Sequence, residues 1–196
     1  MAGLNSALWY FGRGTGTTAL VLFSLVVVLG IVTRSGSRLP GLPRFVMSAV
    51  HRTTSLTALV FLALHVGSLF FDPYAQLRLV NTVVPFLASY KPIWQGLGTV
   101  AADLVLVLIG SSLLRHRLGL QTWRALHWGA YLCWPLAVLH AVGNGTDGTS
   151  SWMLLVVAGC GSAVGLAAAW RITGRRFGPD APPVAVLPPA DLAGLR

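Results

Sequence analysis

His51-Arg-Thr-Thr-Ser-Leu-Thr-Ala-Leu-Val-Phe-Leu-Ala-Leu-His65 is the stretch on which the fold of this chain turns. Past Arg52 it holds only apolar and hydroxyl-bearing residues between its two histidines. A second apolar stretch, from His127 to His140, is bounded in the same way. Thirteen residues separate the first pair and twelve the second. At a rise of ~1.5 Å per residue each pair covers about 20 Å of helix axis, most of a ~30 Å hydrocarbon core.

Composition gives these stretches their solvent. The chain has 196 residues, enough for one domain or little more. Charged residues make up 10% and hydrophobic residues 55%, and the mean hydropathy is +0.71. Soluble domains carry about 25% charged residues, so the medium is lipid. The net charge of +9 does not form a nucleic-acid patch, because the basic residues fall between apolar runs, where membrane topology is encoded. Cys133 and Cys160 both lie inside apolar segments, which argues against a disulfide framework. No C-x-x-C-H motif offers covalent haem attachment. The first apolar run is of full spanning length, without a basic leader or an obvious cleavage site, and reads as a retained helix rather than a removed signal.

The expected fold is all-α: an integral membrane bundle of about five transmembrane helices. The spans fall near residues 13–33, 46–71, 93–114, 121–142 and 151–172. Turn-forming sequence separates them at Ser35–Pro43, Asp72-Pro73, Arg115–Gly119 and Gly143–Gly148. The stretch 74–92 is partly apolar but broken by Pro85. It reads either as an ordinary interfacial loop or as a cover over the outer end of the bundle. Residues 1–177 form the membrane domain, and 178–196, rich in proline, read as a disordered cytoplasmic tail.

Arg34, Arg38, Arg44 and Arg52 cluster around the first connection, Arg115, Arg117 and Arg124 around the third, and Arg171, Arg175 and Arg176 at the end of the last span. The opposite side has Arg13, Arg78 and Lys91. The positive-inside bias therefore puts the N-terminus outside and the C-terminus in the cytoplasm. Spans two and four then both run outward, so His51 and His127 share an inner depth and His65 and His140 an outer one.

Ionisable side chains at membrane depth are costly and mark functional sites by default. A single membrane histidine can simply hydrogen-bond a neighbouring helix; two depth-matched pairs call for more. Neutral imidazole is an axial ligand for haem iron, and facing helices of a bundle hold cofactors between them. Two axial imidazoles fill both open iron positions, which favours electron transfer over ligand binding at the metal. On a regular helix the fourteen-residue step from His51 to His65 returns to within about 40° of the same face, whereas the thirteen-residue step from His127 to His140 misses by about 140°. Pro135 lies between the second pair and can kink or rewind that helix.

His51-x13-His65 and His127-x12-His140, with the contexts His51-Arg52, Trp123-Arg-Ala-Leu-His127 and Trp134-Pro-Leu-Ala-Val-Leu-His140, resemble the ferric reductase-like transmembrane domain family over roughly residues 8–175. That family includes ferric reductases, NADPH oxidases and haem-bearing subunits of bacterial reductase systems. The resemblance implies two non-covalent, bis-histidine b-type haems and a multi-pass protein of the cell membrane. Larger members carry an additional N-terminal helix and a cytoplasmic flavin and nicotinamide domain. The 24 residues after Ile172 are too few for such a domain, and no Gly-rich dinucleotide loop follows a strand. A separate donor, a flavoprotein or a quinol, is then expected to supply electrons to an extracytoplasmic acceptor. Competing readings are a quinone-linked subunit of a larger redox complex and a haem-free proton-coupled transporter or assembly factor.

Arg52 and Arg13 are candidates for haem propionates at the inner and outer depths, since guanidinium matches carboxylate geometry; the alternative is a snorkelling topology residue. Asp103, near mid-depth in span three, serves either a proton relay or packing. His116, between Arg115 and Arg117, reads as solvated surface. Gly12/Gly16 and Gly161/Gly165 have spacing that permits close helix contact. Trp9, Trp94, Trp123 and Trp152 suit an interfacial belt. Asn144-Gly-Thr146 matches a glycosylation triplet but reads as a turn.

Overall fold

The computed structural model of the protein describes residues 2–34, 43–72, 75 and 77–177. The Pro-rich segment 178–196, residues 35–42 of the first connection and Pro73 lie outside the described residues.

Among the described residues the fold is all-α. Helix α1 is Ala2–Arg34, α2 Arg44–Phe71, α3 Pro92–Leu113, α4 Arg115–Leu118, α5 Leu120–His127, α6 Gly129–Asn144 and α7 Ser151–Phe177. Five stretches are long and apolar enough to cross a membrane: Ser6–Thr33, Phe45–Phe71, Pro92–Leu113, Leu120–Asn144 and Ser151–Thr173. These are the five expected spans, the first beginning about two turns earlier than its apolar core. Their outward faces carry bare large aliphatics, such as Leu155 at 73% and Leu166 at 71% exposure. Such a surface suits lipid, and the chain is a multi-pass integral membrane protein.

Polar residues inside the spans are accommodated locally. Thr15, Thr18, Ser24, Ser55, Thr57 and Thr173 each donate a hydroxyl hydrogen bond to the carbonyl four residues earlier. A hydroxyl satisfied by its own helix needs no water, so it costs little in lipid.

The expected fourth span is interrupted at Trp128. The Tyr131 N–H bonds the Trp128 carbonyl, a three-residue step. Pro135 offers no N–H to Tyr131 and its ring crowds that carbonyl, so the preceding turn tightens. A 3₁₀ turn advances about 120° per residue instead of 100°, so three tightened residues narrow the mismatch between His127 and His140 from about 140° to about 80°.

Helix α1 is central. It packs mainly along α2 and also touches α7 and α6, while α3 packs along α6. Close backbone packing of α2 against α3 or α6 is slight, so the α1/α2 pair and the α3/α6 pair stand apart at one end. At mid-depth they meet through Ala101 and Val105 of α3 and Cys133 of α6, packed against Phe23, Leu59 and Leu62. Cys133 and Cys160 are both buried and free, so no disulfide joins them.

Residues 77–91 bend back over the open end. A short 3₁₀ turn, Leu79–Thr82, presents the Asn81 carbonyl to the Thr99 hydroxyl at 2.8 Å. The Phe86 ring lies on Gly96, where no Cβ would fit. Lys91, in the left-handed region at φ 43°, turns the chain into α3.

Candidate cofactor site

Between the separated helix pairs lies a cavity of about 470 Å³, a size typical of ligand sites. Its lower walls are apolar, including Leu20, Phe23, Leu62 and Val105, and its upper rim is polar, with Asp72, Asn81 and Thr99 all buried. The connection 77–91 contributes Leu77, Asn81 and Tyr90 to the lining, in keeping with the reading of this segment as a cover.

His65 from α2 and His140 from α6 face each other across this cavity. Their ring centroids are 6.4 Å apart and the ring planes cross at 75°. Each ring is tethered on its Nδ1 side. His65 Nδ1–H donates to the Gly12 carbonyl at 2.7 Å, and His140 Nδ1–H donates to the Trp94 carbonyl at 2.8 Å. A carbonyl can only accept, so both imidazoles carry their proton on Nδ1 and keep a free lone pair on Nε2. A backbone carbonyl on the remote nitrogen is the usual support of a metal-ligating histidine.

These residues fit a haem. Two imidazoles on opposite sides of one metal ion, at bond lengths of about 2.0–2.1 Å, put their ring centres roughly 6.4 Å apart. Among the described residues no three His, Cys, Asp or Glu side chains converge on a metal position.

The structure does not bring the inner histidines together in the same way. His51 and His127 are partly buried, and neither lines the cavity. The His51 ring rests near Gly30 of α1 beside the Val26 backbone, and its buried Nδ1 makes no hydrogen bond among the described residues. His127 stacks on Trp123 at 5.0 Å with 26° between the rings, and Trp123 Nε1–H reaches Ser112 Oγ on α3 at 3.4 Å.

Arg13 stands at the cavity mouth. It pairs with Asp147 of the α6–α7 turn and lies 4.1 Å above the Trp9 ring. Nothing in the sequence signalled Asp147 as its partner. Arg52 is exposed. Asp103 is partly buried, lies outside the cavity and makes no ion pair among the described residues. His116 is exposed beside Arg115, as expected. Asn144 turns its side-chain amide inward to Gln95 at 3.0 Å, which fits the turn reading of the Asn144 triplet. Gly16 makes a close helix contact, but Gly161 and Gly165 do not: nothing lies within 4 Å of where their side chains would be.

The sequence profile described as ferric reductase like transmembrane component matches residues 15–143. The chain belongs to the ferric reductase-like transmembrane family. The match runs from the middle of α1 through α2, α3, α4 and α5 to the penultimate residue of α6, and so takes in His51, His65, His127 and His140. No curated protein and no solved structure matches the chain significantly. Membership makes this a membrane redox component.

Proposed function

We propose that this ferric reductase-like chain is a membrane cytochrome b that passes electrons across the bilayer through two bis-histidine b-type haems. His65 and His140 hold the outer haem, and His51 and His127 the inner one. The observation that carries this reading is the His65/His140 pair: two tethered imidazoles, 6.4 Å apart, facing across a cavity. Bound between such ligands, haem supplies one-electron chemistry. The residues of the chain bind and orient it. The carbonyls of Gly12 and Trp94 fix the tautomer of each ligand, the apolar walls below exclude water, and the cover from Leu77 to Tyr90 shields the outer end. Arg13 lies close enough to the mouth to neutralise a carboxylate there, sharing its charge with Asp147, and Arg52 is assigned the same role at the inner depth.

Electrons enter from a separate cytoplasmic donor, a flavoprotein or a quinol, and leave to an extracytoplasmic acceptor such as ferric iron, oxygen or an oxidised protein. The clusters Arg115/Arg117/Arg124 and Arg171/Arg175/Arg176 support this orientation, with the N-terminus outside.

The test is a dithionite-reduced minus oxidised absorption spectrum of the purified protein with a haem-to-protein ratio. Low-spin b-type bands at two haems per chain are expected. His140→Ala and His127→Ala should each remove one haem. Absence of haem after expression with ample supply would overturn the reading in favour of a haem-free transporter or assembly factor.

A further inference from the structure

The two outer histidines are held by the same device on two different helices. On α1 the Gly12 carbonyl accepts from His65 Nδ1, and a Cβ added at Gly16 would lie 2.7 Å from that nitrogen and 2.8 Å from Cε1. On α3 the Trp94 carbonyl accepts from His140 Nδ1, and a Cβ at Gly98 would lie 2.5 Å from that nitrogen and 2.6 Å from Cε1. In both cases the glycine stands four residues after the carbonyl.

The spacing has a physical cause. Within a helix the carbonyl of residue i accepts from the N–H of residue i+4, and one lone pair remains. Cα–Cβ bonds tilt toward the helix N-terminus, so the side chain at i+4 overhangs the carbonyl at i. Glycine at i+4 removes that overhang. An imidazole can then lie flat against the helix and reach the remaining lone pair.

We infer that Gly16 and Gly98 are positioning residues of the outer site, each leaving the one opening through which a histidine ring reaches the carbonyl that orients it. The inference rests on the haem reading above for its functional meaning, and on geometry alone for the clamp itself. The register on α1 agrees. Gly16 and Gly30 are fourteen residues apart, as are His65 and His51 on the antiparallel α2. A Cβ at Gly30 would lie 3.5 Å from His51 Cε1, and the Val26 carbonyl is again four residues earlier. The register repeats at the inner depth, but a Cβ at Gly30 would only touch the His51 ring and His51 Nδ1 makes no hydrogen bond, so the clamp itself belongs to the outer site. His127 packs on Trp123 instead. The clamps also fix the 75° crossing of the outer rings, because each ring plane is set by its own helix. A low-spin ferric haem held between rings crossed in this way would give a strongly anisotropic paramagnetic resonance signal.

Two measurements on the full chain in detergent test this. The first compares Gly98→Ala and Gly16→Ala with Gly110→Ala, a control on α3 where nothing lies within 4 Å of the added atom. Each clamp variant should abolish the anisotropic signal, either by taking the haem ratio from two to one or by reorienting the ring, while the inner haem remains and so reports that the fold is intact. The control should leave both signals unchanged. The second measurement needs no haem. Gly98→Ala should lower the thermal midpoint of the wild-type chain but not that of a His140→Ala background, where no ring meets the new methyl. If the wild type binds no haem, the functional reading fails and the melting comparison still tests the clamp. If two haems bind and Gly98→Ala changes neither the signals nor the midpoint, the inference is overturned.

Discussion

The hydrogen bond from Trp134 Nε1–H to Ser24 Oγ, at 2.9 Å, fastens α6 to α1 and so fixes the helix that carries His140. Ser24 is 3% exposed, and its own hydroxyl hydrogen is committed to the Leu20 carbonyl at 2.8 Å, so its lone pair is free to receive the indole. Ser24→Ala strands a partly buried N–H, which costs up to about 1–3 kcal/mol when no partner replaces the acceptor. Trp134→Phe removes the donor but also ring volume, so its single cost mixes a hydrogen bond with a cavity. A double-mutant cycle cancels the volume contribution. Interhelical hydrogen bonds in membranes average about 0.6 kcal/mol with a maximum near 1.7, and the burial of Ser24 with the partial burial of Trp134 points to a coupling of about 1 kcal/mol, a factor of roughly five in the unfolding equilibrium. The assay is unfolding of the four proteins by sodium dodecyl sulfate in mixed micelles, followed by far-ultraviolet circular dichroism, which survives the loss of a tryptophan. A coupling below about 0.3 kcal/mol, the ordinary error of additivity, would refute the claim that this bond holds α6 in place.

Asp147→Asn should lower stability by less than about 1 kcal/mol, because the side chains of the Arg13 pair are 23% and 36% exposed, and the loss should shrink in added salt. Arg13→Ala should cost about 1–2 kcal/mol, since its contact with the Trp9 ring goes too; thermal melts at two salt concentrations separate the effects. Lys91→Met should destabilise by about 1 kcal/mol in the same assay, because Lys91 Nζ donates to the Gly143 carbonyl at 2.9 Å and caps the last turn of α6. Reporter fusions after Phe177 should be active only as a cytoplasmic reporter and not as a periplasmic one; the reverse would invert the proposed direction of electron flow.

The membrane class and all five spans were legible in the sequence, because crossing a hydrocarbon layer forces about 20 apolar residues into a helix whatever its neighbours are. The meeting of His65 and His140 was legible for the same reason, since a rise of ~1.5 Å per residue turns sequence separation into depth, but His51 and His127 are not brought together in the same way. The break at Trp128 was half legible, as Pro135 announced an irregularity without saying where it would fall. What only the tertiary structure decided were relations between helices. Gly12 and Gly16 read as packing glycines, and nothing distinguished Gly98 from other glycines of an apolar span. Arg13 gave no sign that Asp147, in the α6–α7 turn, would be its partner. Hydropathy fixes where a helix lies along the membrane normal but not its rotation about its axis or the helix it meets. Those are set by which side chains interdigitate, and from them follow the facing of His65 and His140, the carbonyl each ring reaches, and the glycine that lets it in.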